Sequence, residues 1–234
     1  MVAGASLRHD GAMTEPPTTT ARSAKAAQTR TRILEAARRV LGEEGPERFT
    51  TRRVAEIAGV SHGMCHYHFK DKRELTLALI VHARRDWVEP LEELVDGPGT
   101  AEARMRAVIA WMAEPQTTDV MRVHQTLFVF ALQDELVRER LAAEFARWRA
   151  PFVKLFAELA VELDLQGLDA RGVGEAFAAA ADALVQEQSL DPGLPTGEML
   201  TTTFERIVSG NGARPAAAKR SSPRKRQSRS SSGR

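Results

Sequence analysis

Three histidines lie close together in the sequence, at positions 62, 66 and 68. His62 and His66 are four residues apart, so on a helix they share one face and can together bind a metal ion. That face offers no acidic residue or thiolate as a further ligand, and it carries Met64 and Tyr67 beside the imidazoles. A surface with hydrogen-bond donors, an aromatic ring and no acid suits the base edges in the major groove of DNA better than it suits a metal.

A helix-turn-helix is predicted around these histidines. Thr50 and Thr51 offer hydroxyl caps for a first helix with a small apolar face. Gly59 lets the chain reverse through positive φ, and Ser61 can cap a second helix that runs through His68. In proteins that use this motif, the second helix enters a groove of DNA.

The two sides of the second helix differ in character. Val60, Cys65 and Phe69 supply the inward side, so Cys65 is expected to be a small buried apolar residue and not a redox switch. The outward side consists of His62, Gly63, Met64, His66, Tyr67 and His68.

Further helices are predicted on both sides of this pair. Lys72 and Arg73 begin one of them close to where a phosphate backbone would run. Upstream, apolar residues at helical spacing predict a support helix over 25–44, and they are Ile33, Leu34, Ala37, Val40 and Leu41.

The stretch from about Thr29 to Leu79 resembles the DNA-binding domain of the TetR family of bacterial transcriptional regulators. One departure lies in the recognition helix, where the family most often has leucine then tyrosine and this chain has Cys65 then His66, with Tyr67 one place later. The family's recurring residues appear here as Phe49, Thr50, Thr51, Val54, Ala55, Ala58, Gly59, Val60, Ser61, Gly63, Phe69, Lys72 and Leu75.

The resemblance implies which residues contact DNA. Carried over position by position, it implies contacts to the DNA backbone from Thr51, Tyr67 and Lys72. It implies base-edge or groove contacts from Arg52, His62, Gly63, Met64, His66 and His68. The sequences of residues 61–69 and of residues 183–192 also resemble those of the betaine-regulator-like branch of the family.

Charge is distributed unevenly along the chain. Residues 1–73 hold 13 Lys and Arg against 8 Asp and Glu, residues 74–209 hold 12 against 23, and residues 210–234 hold 8 against none. Attraction to phosphate is therefore concentrated in the helix-turn-helix region and the C-terminal end.

The remainder of the chain predicts an all-α body and two unstructured ends. We expect a disordered N-terminal arm over 1–24, a helix-turn-helix DNA-binding domain over 25–73, a helical ligand-binding and dimerisation domain over 74–209, and a disordered basic tail over 210–234. The arm has no signal-peptide core, which favours the cytoplasm, and Met13 is an alternative start.

The body's helices are predicted from breaks at Pro and Gly. They cover about 72–96, with a late kink at Pro90, then 100–113, one after Pro115, 134–163 with a bend near Pro151, 169–188 and 196–209. With three helices in the head, the chain is expected to contain about nine.

The family resemblance implies a homodimer formed through the last two helices, over 169–188 and 196–209. The small residues from Gly174 to Leu184 would let two helices approach closely across a two-fold axis, although they are equally suited to packing within one subunit. A dimer carries two recognition helices and therefore predicts a palindromic operator.

Members of the family are usually repressors released by a small molecule bound inside the body. Aromatic side chains and two polar ones are candidates for such a pocket, although aromatics on helices more often form core. The candidates are Trp87, Trp111, His124, Gln125, Phe128, Phe152 and Phe156.

Two other classes of protein remain alternatives to a sequence-specific regulator. An enzyme is disfavoured because the sequence has no glycine-rich phosphate loop, no Gly-x-Ser-x-Gly elbow and no convincing pair of carboxylates, and no cofactor or metal is expected. The alternative is a non-specific nucleoid-coating or architectural protein, which the basic Ser-rich tail from Ala213 to Arg234 would suit.

Overall fold

The computed structural model describes residues 18–115 and 118–212, and every regular element within them is helical. The helices are α1 (Thr18–Arg39), a π-helical turn (Val40–Glu44), α2 (Thr51–Ala58), α3 (His62–His68), α4 (Lys72–Val95), α5 (Ala101–Ala113), α6 (Thr118–Gln133), α7 (Glu135–Glu162), α8 (Ala170–Gln188) and α9 (Thr196–Gly212). Nine α-helices thus occupy the described ranges. The predicted all-α fold is confirmed.

Most helices begin where a side chain can cap them. Asp71, Thr100, Asp134 and Asp169 each accept a hydrogen bond from a backbone N–H in the first turn of the helix that follows. Such a bond satisfies a donor that has no partner inside the helix. The starts predicted for these four helices, at residues 72, 100, 134 and 169, agree with the structure to within one residue.

Both ends of the helical region extend further than predicted. Helix α1 begins at Thr18, so the disordered arm predicted for 1–24 is wrong for residues 18–24. No Gly or Pro follows Pro17 until Gly42, and nothing therefore interrupts the helix. Helix α9 continues to Gly212. The rest of the predicted arm and tail lies outside the described residues.

Two apolar clusters form the core. The first joins α1 to α3 with the start of α4, and it is completed by Val123, Leu127 and Ala131 of α6 and by Val137 and Leu141 of α7. The second lies in the body among α4, α5, α7, α8 and α9, together with Met121 of α6. The apolar core of the head therefore continues past residue 73.

Helices α7 and α8 approach closely where α8 carries small residues. A Cβ built on Gly174 would lie 2.7 Å from Cα of Val153, and Ala178 and Ala181 are fully buried. This face of α8 is interior packing within the subunit. The opposite face exposes Ala176, Ala180 and Ala183.

Within the described ranges, none of the helices combines the length and the apolar character needed to cross a lipid bilayer.

Candidate nucleic-acid interface and ligand cavity

The turn between α2 and α3 is fixed by two caps and one glycine. Thr50 Oγ1 accepts from Arg53 N at 3.1 Å, and Ser61 Oγ accepts from Met64 N at 3.1 Å. Gly59 between them has φ 63° and ψ 38°, a left-handed conformation that strains any other residue type. Arg32 of α1 donates to Ala58 O at 2.7 Å and so satisfies a carbonyl at the end of α2.

The inward side of α3 packs as the sequence predicts. Cys65 and Phe69 are fully buried and Val60 is half-buried. Burial raises the pKa of the Cys65 thiol, which keeps it protonated and unreactive. A packing role for Cys65 follows.

The outward side of α3 is open to solvent. Tyr67 is 79% exposed and Met64 43%, and the exposed members also include His62, Gly63 and His66, while His68 is half-buried. The rings of His62 and His66 meet edge-on with centroids 4.4 Å apart. No carboxylate pairs with either ring among the described contacts, so the surface presents donors and aromatic edges.

Residues of α2 border this surface. Thr51 Oγ1 lies 3.3 Å from His62 Nε2, and Arg52 is exposed. The Nδ1 atom of His66 lies 3.1 Å from Lys70 O. Thr51 and Lys70 thus hold two imidazoles of α3 in place.

Lys72 lies over aromatic rings as well as near the predicted phosphate path. Its Nζ is 5.4 Å from the ring centroid of Phe49 and 5.1 Å from that of Phe130. Partial burial lowers the pKa of Lys72. A phosphate contact by this ammonium therefore competes with cation–π contacts inside the protein.

A cavity of about 70 Å³ lies in the body. Its walls come from α4, α6 and α7, with Asp182 and Val185 of α8 and Met112 of α5. A single water requires about 10–15 Å³ on the same scale, so the cavity has room for roughly five to seven water-sized groups. Its size suits a compact ligand.

Aromatic rings form much of the cavity wall. Trp87, Trp148, His124 and Phe145 line it. The centroids of Trp87 and Trp148 are 6.5 Å apart, and those of His124 and Phe145 are 5.7 Å apart. Trp111 packs behind the wall, 6.5 Å from Trp87 and 6.4 Å from Trp148.

Three carboxylates also face the cavity. Asp182 accepts from Gln186 Nε2 at 2.8 Å, and Asp86 lies 3.6 Å from an Nη atom of Arg38 in α1. Glu144 is 12% exposed, and its Oε2 atom is buried without a hydrogen-bond donor. Burial raises the pKa values of Asp86 and Asp182, since water no longer stabilises their charged forms.

The cavity also contains one guanidinium and one imidazole. Arg84 lies 3.5 Å from Glu89, and its Nε atom has no hydrogen-bond partner. Burial lowers the pKa of His124, although Asp182 opposes that effect, and the ring is therefore neutral near pH 7. Acidic groups outnumber basic groups around this cavity.

Comparison with known proteins identifies the family. Residues 33–79 match the family model described as bacterial regulatory proteins, tetR family. Those residues comprise the C-terminal end of α1, the π-helical turn, the whole helix-turn-helix and the start of α4. The DNA-binding head of the chain belongs to the TetR family. The chain is accordingly a DNA-binding regulator of transcription.

Curated relatives in the TetR family include two proteins named HTH-type transcriptional regulator BetI. The one from Brucella anthropi is 31% identical over 120 residues, which are 50% of this chain and 61% of that protein. The one from Brucella suis is 27% identical over 184 residues, covering 77% of this chain and 89% of that protein.

Among solved structures, a transcriptional regulator from Saccharomonospora viridis in complex with choline has a similar fold. Its TM-score is 0.64 at 19% identity, and the match covers 77% of this chain and 96% of that one. At this identity the likeness establishes a shared fold alone.

The TetR-family resemblance implies DNA contacts that the structure brings onto one surface. Arg52 and the outward residues of α3 lie together around the half-buried Thr51, and Lys72 begins the next helix. Their contacts with DNA stay predictions.

The candidate ligand residues divide into two groups. Trp87 and His124 line the cavity, whereas the other five do not. Trp111 and Phe152 pack behind Trp148, and Phe156 is buried against Phe177 and Phe204 in the core. Gln125 is exposed, and Phe128 is 49% exposed. Both lie on sides of α6 that do not line the cavity.

Sequence reasoning missed the cavity's carboxylates and two of its aromatic residues. Asp86 lies on α4 and Asp182 on α8, whereas Glu144, Phe145 and Trp148 lie together on α7. No local spacing relates the residues of the three helices to one another. A search for acidic residues on otherwise apolar helix faces could have found Asp182, which follows a run of six apolar residues, Ala176 to Ala181.

Proposed function

We propose that this TetR-family chain is a repressor that binds a palindromic operator as a homodimer and is released when a small molecule fills the cavity. One observation carries the proposal: the helix that forms a wall of the cavity also contacts the DNA-binding head. Val120, Met121, Val123, His124 and Leu127 of α6 line the cavity.

The contact between α6 and the head is close. Arg122 donates through Nη1 to Gly42 O in the π-helical turn and lies 3.3 Å from Glu43 O. A Cβ at Gly42 would lie 3.0 Å from Asp119 O of α6. A shift of α6 caused by a ligand would therefore act directly on the turn that ends α1.

Helix α4 provides a second connection. Asp86 faces the cavity and pairs with Arg38 of α1, while His82 and Arg85 contact Glu35 of α1 at 3.0 and 2.7 Å. A ligand that changes the position of Asp86 would alter the contacts that orient α1. Both connections support coupling between the cavity and the head.

The exposed alanine stripe on α8 supports dimerisation through α8 and α9. Ala176, Ala180 and Ala183 lie three or four residues apart on the face opposite the intrasubunit contact. Leu190, just after α8, is 83% exposed, and Met199 of α9 is also exposed. An apolar stripe of small side chains lets two helices from different subunits approach closely.

The comparisons support a small-molecule effector. A structural neighbour was solved with choline, and the curated relatives above are named as transcriptional regulators, with no enzyme among those two. We place this chain in the betaine-regulator-like branch of the family, in the bacterial cytoplasm at the nucleoid, without a catalytic role.

Operator binding tests the proposal. Purified full-length protein is titrated onto DNA flanking its own gene at moderate salt with excess unrelated competitor DNA, and the complex is then challenged with a panel of metabolites. We expect a competitor-resistant complex at a palindrome, with two subunits per site, that one compound dissociates.

Two other outcomes would contradict parts of the proposal. Complete removal of the protein by competitor DNA would favour the non-specific coating role suggested by the basic C-terminal residues. A specific complex that binds a single half-site as a monomer would overturn the dimer.

A further inference from the structure

We propose that Asp134 restrains a contact between Arg73 and a DNA phosphate: its carboxylate binds the guanidinium in the free protein and competes with the phosphate for it. Arg73 is not among the residues to which the TetR-family resemblance assigns a DNA contact. The inference rests on the proposed function, because it concerns the same DNA-binding surface.

Two cationic side chains lie side by side at the start of α4. The ammonium of Lys72 lies over the rings of Phe49 and Phe130, and partial burial lowers its pKa. The side chain of Arg73 is 58% exposed, and it belongs to the first turn of the helix that follows α3. Of the two, Arg73 is therefore the cation more available to a phosphate.

The guanidinium of Arg73 has spare hydrogen-bond donors. Its Nε donates to Asp134 Oδ2 at 2.5 Å, and no other acceptor contacts it within the described part of the chain. A guanidinium carries further N–H donors in a planar fork that matches phosphate as well as carboxylate. Both Nη groups of Arg73 therefore remain for a second anion.

The carboxylate of Asp134 is fixed by its own contacts. Its Oδ1 accepts from Leu136 N at 3.0 Å and from Val137 N at 3.3 Å, which caps α7, while Oδ2 binds Arg73. Burial opposes ionisation of Asp134, but the contacts with Arg73 and the cap outweigh burial, and the pKa of Asp134 lies below its ordinary value. Asp134 is thus an anion that cannot turn away without breaking the cap of α7.

A DNA phosphate that approaches Arg73 meets this carboxylate. Because two anions close together repel each other, Asp134 opposes the phosphate contact while it holds the guanidinium. An ion pair with this exposure to water is weak enough to exchange its anion. Asp134 therefore lowers the affinity for DNA without preventing binding.

The test measures DNA binding by the full chain as a function of salt. Two duplexes of equal length are used, one that the parent protein selects from a random-sequence pool and one of mixed sequence. Asp134→Asn keeps a side chain that caps helices and removes the charge. We expect it to bind both duplexes about fivefold more tightly. The slope of log Kd against log salt should steepen by up to about one, the value of one further phosphate contact.

Further variants assign the effect to Arg73. Glu135→Gln removes the neighbouring carboxylate, whose side chain is 77% exposed, and reports the general effect of losing one negative charge. With Arg73→Gln present, the gain from Asp134→Asn should shrink to the gain from Glu135→Gln. Arg73→Gln alone should weaken binding to both duplexes and reduce the salt slope. Circular dichroism checks that each variant is folded.

Three results would overturn the proposal: an Asp134→Asn variant that binds no more tightly than Glu135→Gln, a gain that persists with Arg73→Gln, or an Arg73→Gln variant with unchanged affinity. Phosphate contacts carry no sequence information, so the outcome does not depend on an operator. A gain on the mixed-sequence duplex, with no duplex selected from the pool, would support the restraint by Asp134 and contradict the sequence-specific repressor.

Discussion

Tyr67 is the chain's single tyrosine, and it projects from α3 with 79% of its surface exposed. Its ring contacts only the neighbouring His68 among the described aromatic pairs, with centroids 5.2 Å apart. An amphipathic side chain held this openly has no packing role in the subunit. Its hydroxyl is free for a phosphate oxygen.

We therefore predict that Tyr67→Ala weakens operator binding without destabilising the fold. Loss of one hydrogen bond to a phosphate costs about 1 kcal/mol, which corresponds to about a fivefold rise in Kd. Binding isotherms and thermal unfolding are measured side by side. Val161→Ala, at another highly exposed site on α7, should change neither, and an unaltered Kd for Tyr67→Ala would mean that α3 docks differently.

Asp182, in contrast to the exposed Tyr67, affects the stability of the fold through its partly buried charge. Burial raises its pKa above the ordinary 3.8, so the folded state binds the proton more tightly than the unfolded state does. Its charged form therefore destabilises the fold. This destabilisation is absent below the unfolded pKa, grows as the pH rises from the unfolded to the folded pKa, and is constant above the folded pKa.

Asp182→Asn should accordingly raise the free energy of unfolding near neutral pH. Urea unfolding of both proteins at about pH 4.5 and about pH 7.5 checks the sign, with the larger gain expected at the higher pH. A variant that is less stable than the parent at both pH values would show that the carboxylate has a structural partner.

Single residues were predictable from sequence where their neighbours along the helix determine exposure. The outward set of α3 follows from the spacing of Cys65 and Phe69, and the structure exposes it as expected. The walls of the cavity come from helices far apart in sequence, and only tertiary packing brings Asp86 and Asp182 together. Phe156 is a ligand candidate by sequence alone, because aromatic residues of the core and of a pocket show the same helical spacing.

At the level of elements, the contact between α7 and α8 depends on one missing side chain. Gly174→Ala would bring a Cβ within 2.8 Å of both Cα and N of Val153, which are backbone atoms that cannot rotate away. We predict a loss of about 1–3 kcal/mol in the free energy of unfolding, from denaturant titration. Gly210→Ala, in α9 with no atom near its Cβ, is the control and should be neutral or slightly stabilising.

The exposed stripe on α8 gives a second prediction for this helix. Ala180→Arg should leave the subunit folded, because Ala180 is exposed, and should shift a dimer toward monomer by placing charge in the apolar contact. Sedimentation with circular dichroism separates the two effects. Ala157→Arg, at an exposed site on α7, is the matched control, and a dimer that survives Ala180→Arg would contradict the α8 interface.

Element boundaries were predictable where polar caps or prolines mark them. The π-helical turn at Val40–Glu44 was not, because its shape depends on α6 rather than on its own residues. Gly42 lies against Asp119, and Arg122 binds the carbonyls of the turn. Local sequence contains no signal of that contact. Kinks at Pro90 and Pro151 stay predictions.

For the whole molecule, Arg122 is the residue where coupling between cavity and head can be tested. Arg122→Met removes the hydrogen bonds to Gly42 O and Glu43 O and keeps much of the apolar stem. We predict that effector binding and operator binding each persist while the factor by which one weakens the other falls about tenfold.

The measurement is a titration of operator DNA with and without saturating effector, for the parent and the variant. Arg140→Met, an exposed arginine on α7, serves as the control. A coupling factor that is unchanged in Arg122→Met would assign the connection to α4 instead.

The head and the body share one apolar core, so the head cannot be separated from the body without exposing that core. Val123, Leu127 and Ala131 of α6 fill the same cluster as Ile33 of α1 and Leu41 of the π-helical turn. The segment that sequence similarity delimits, residues 33–79, is therefore a unit of recognition and not a unit of folding. A chimaera that moves this head onto another body must therefore move the matching face of α6 with it. Substitutions in α6 that change the cavity are likewise constrained, because the same helix packs against the head.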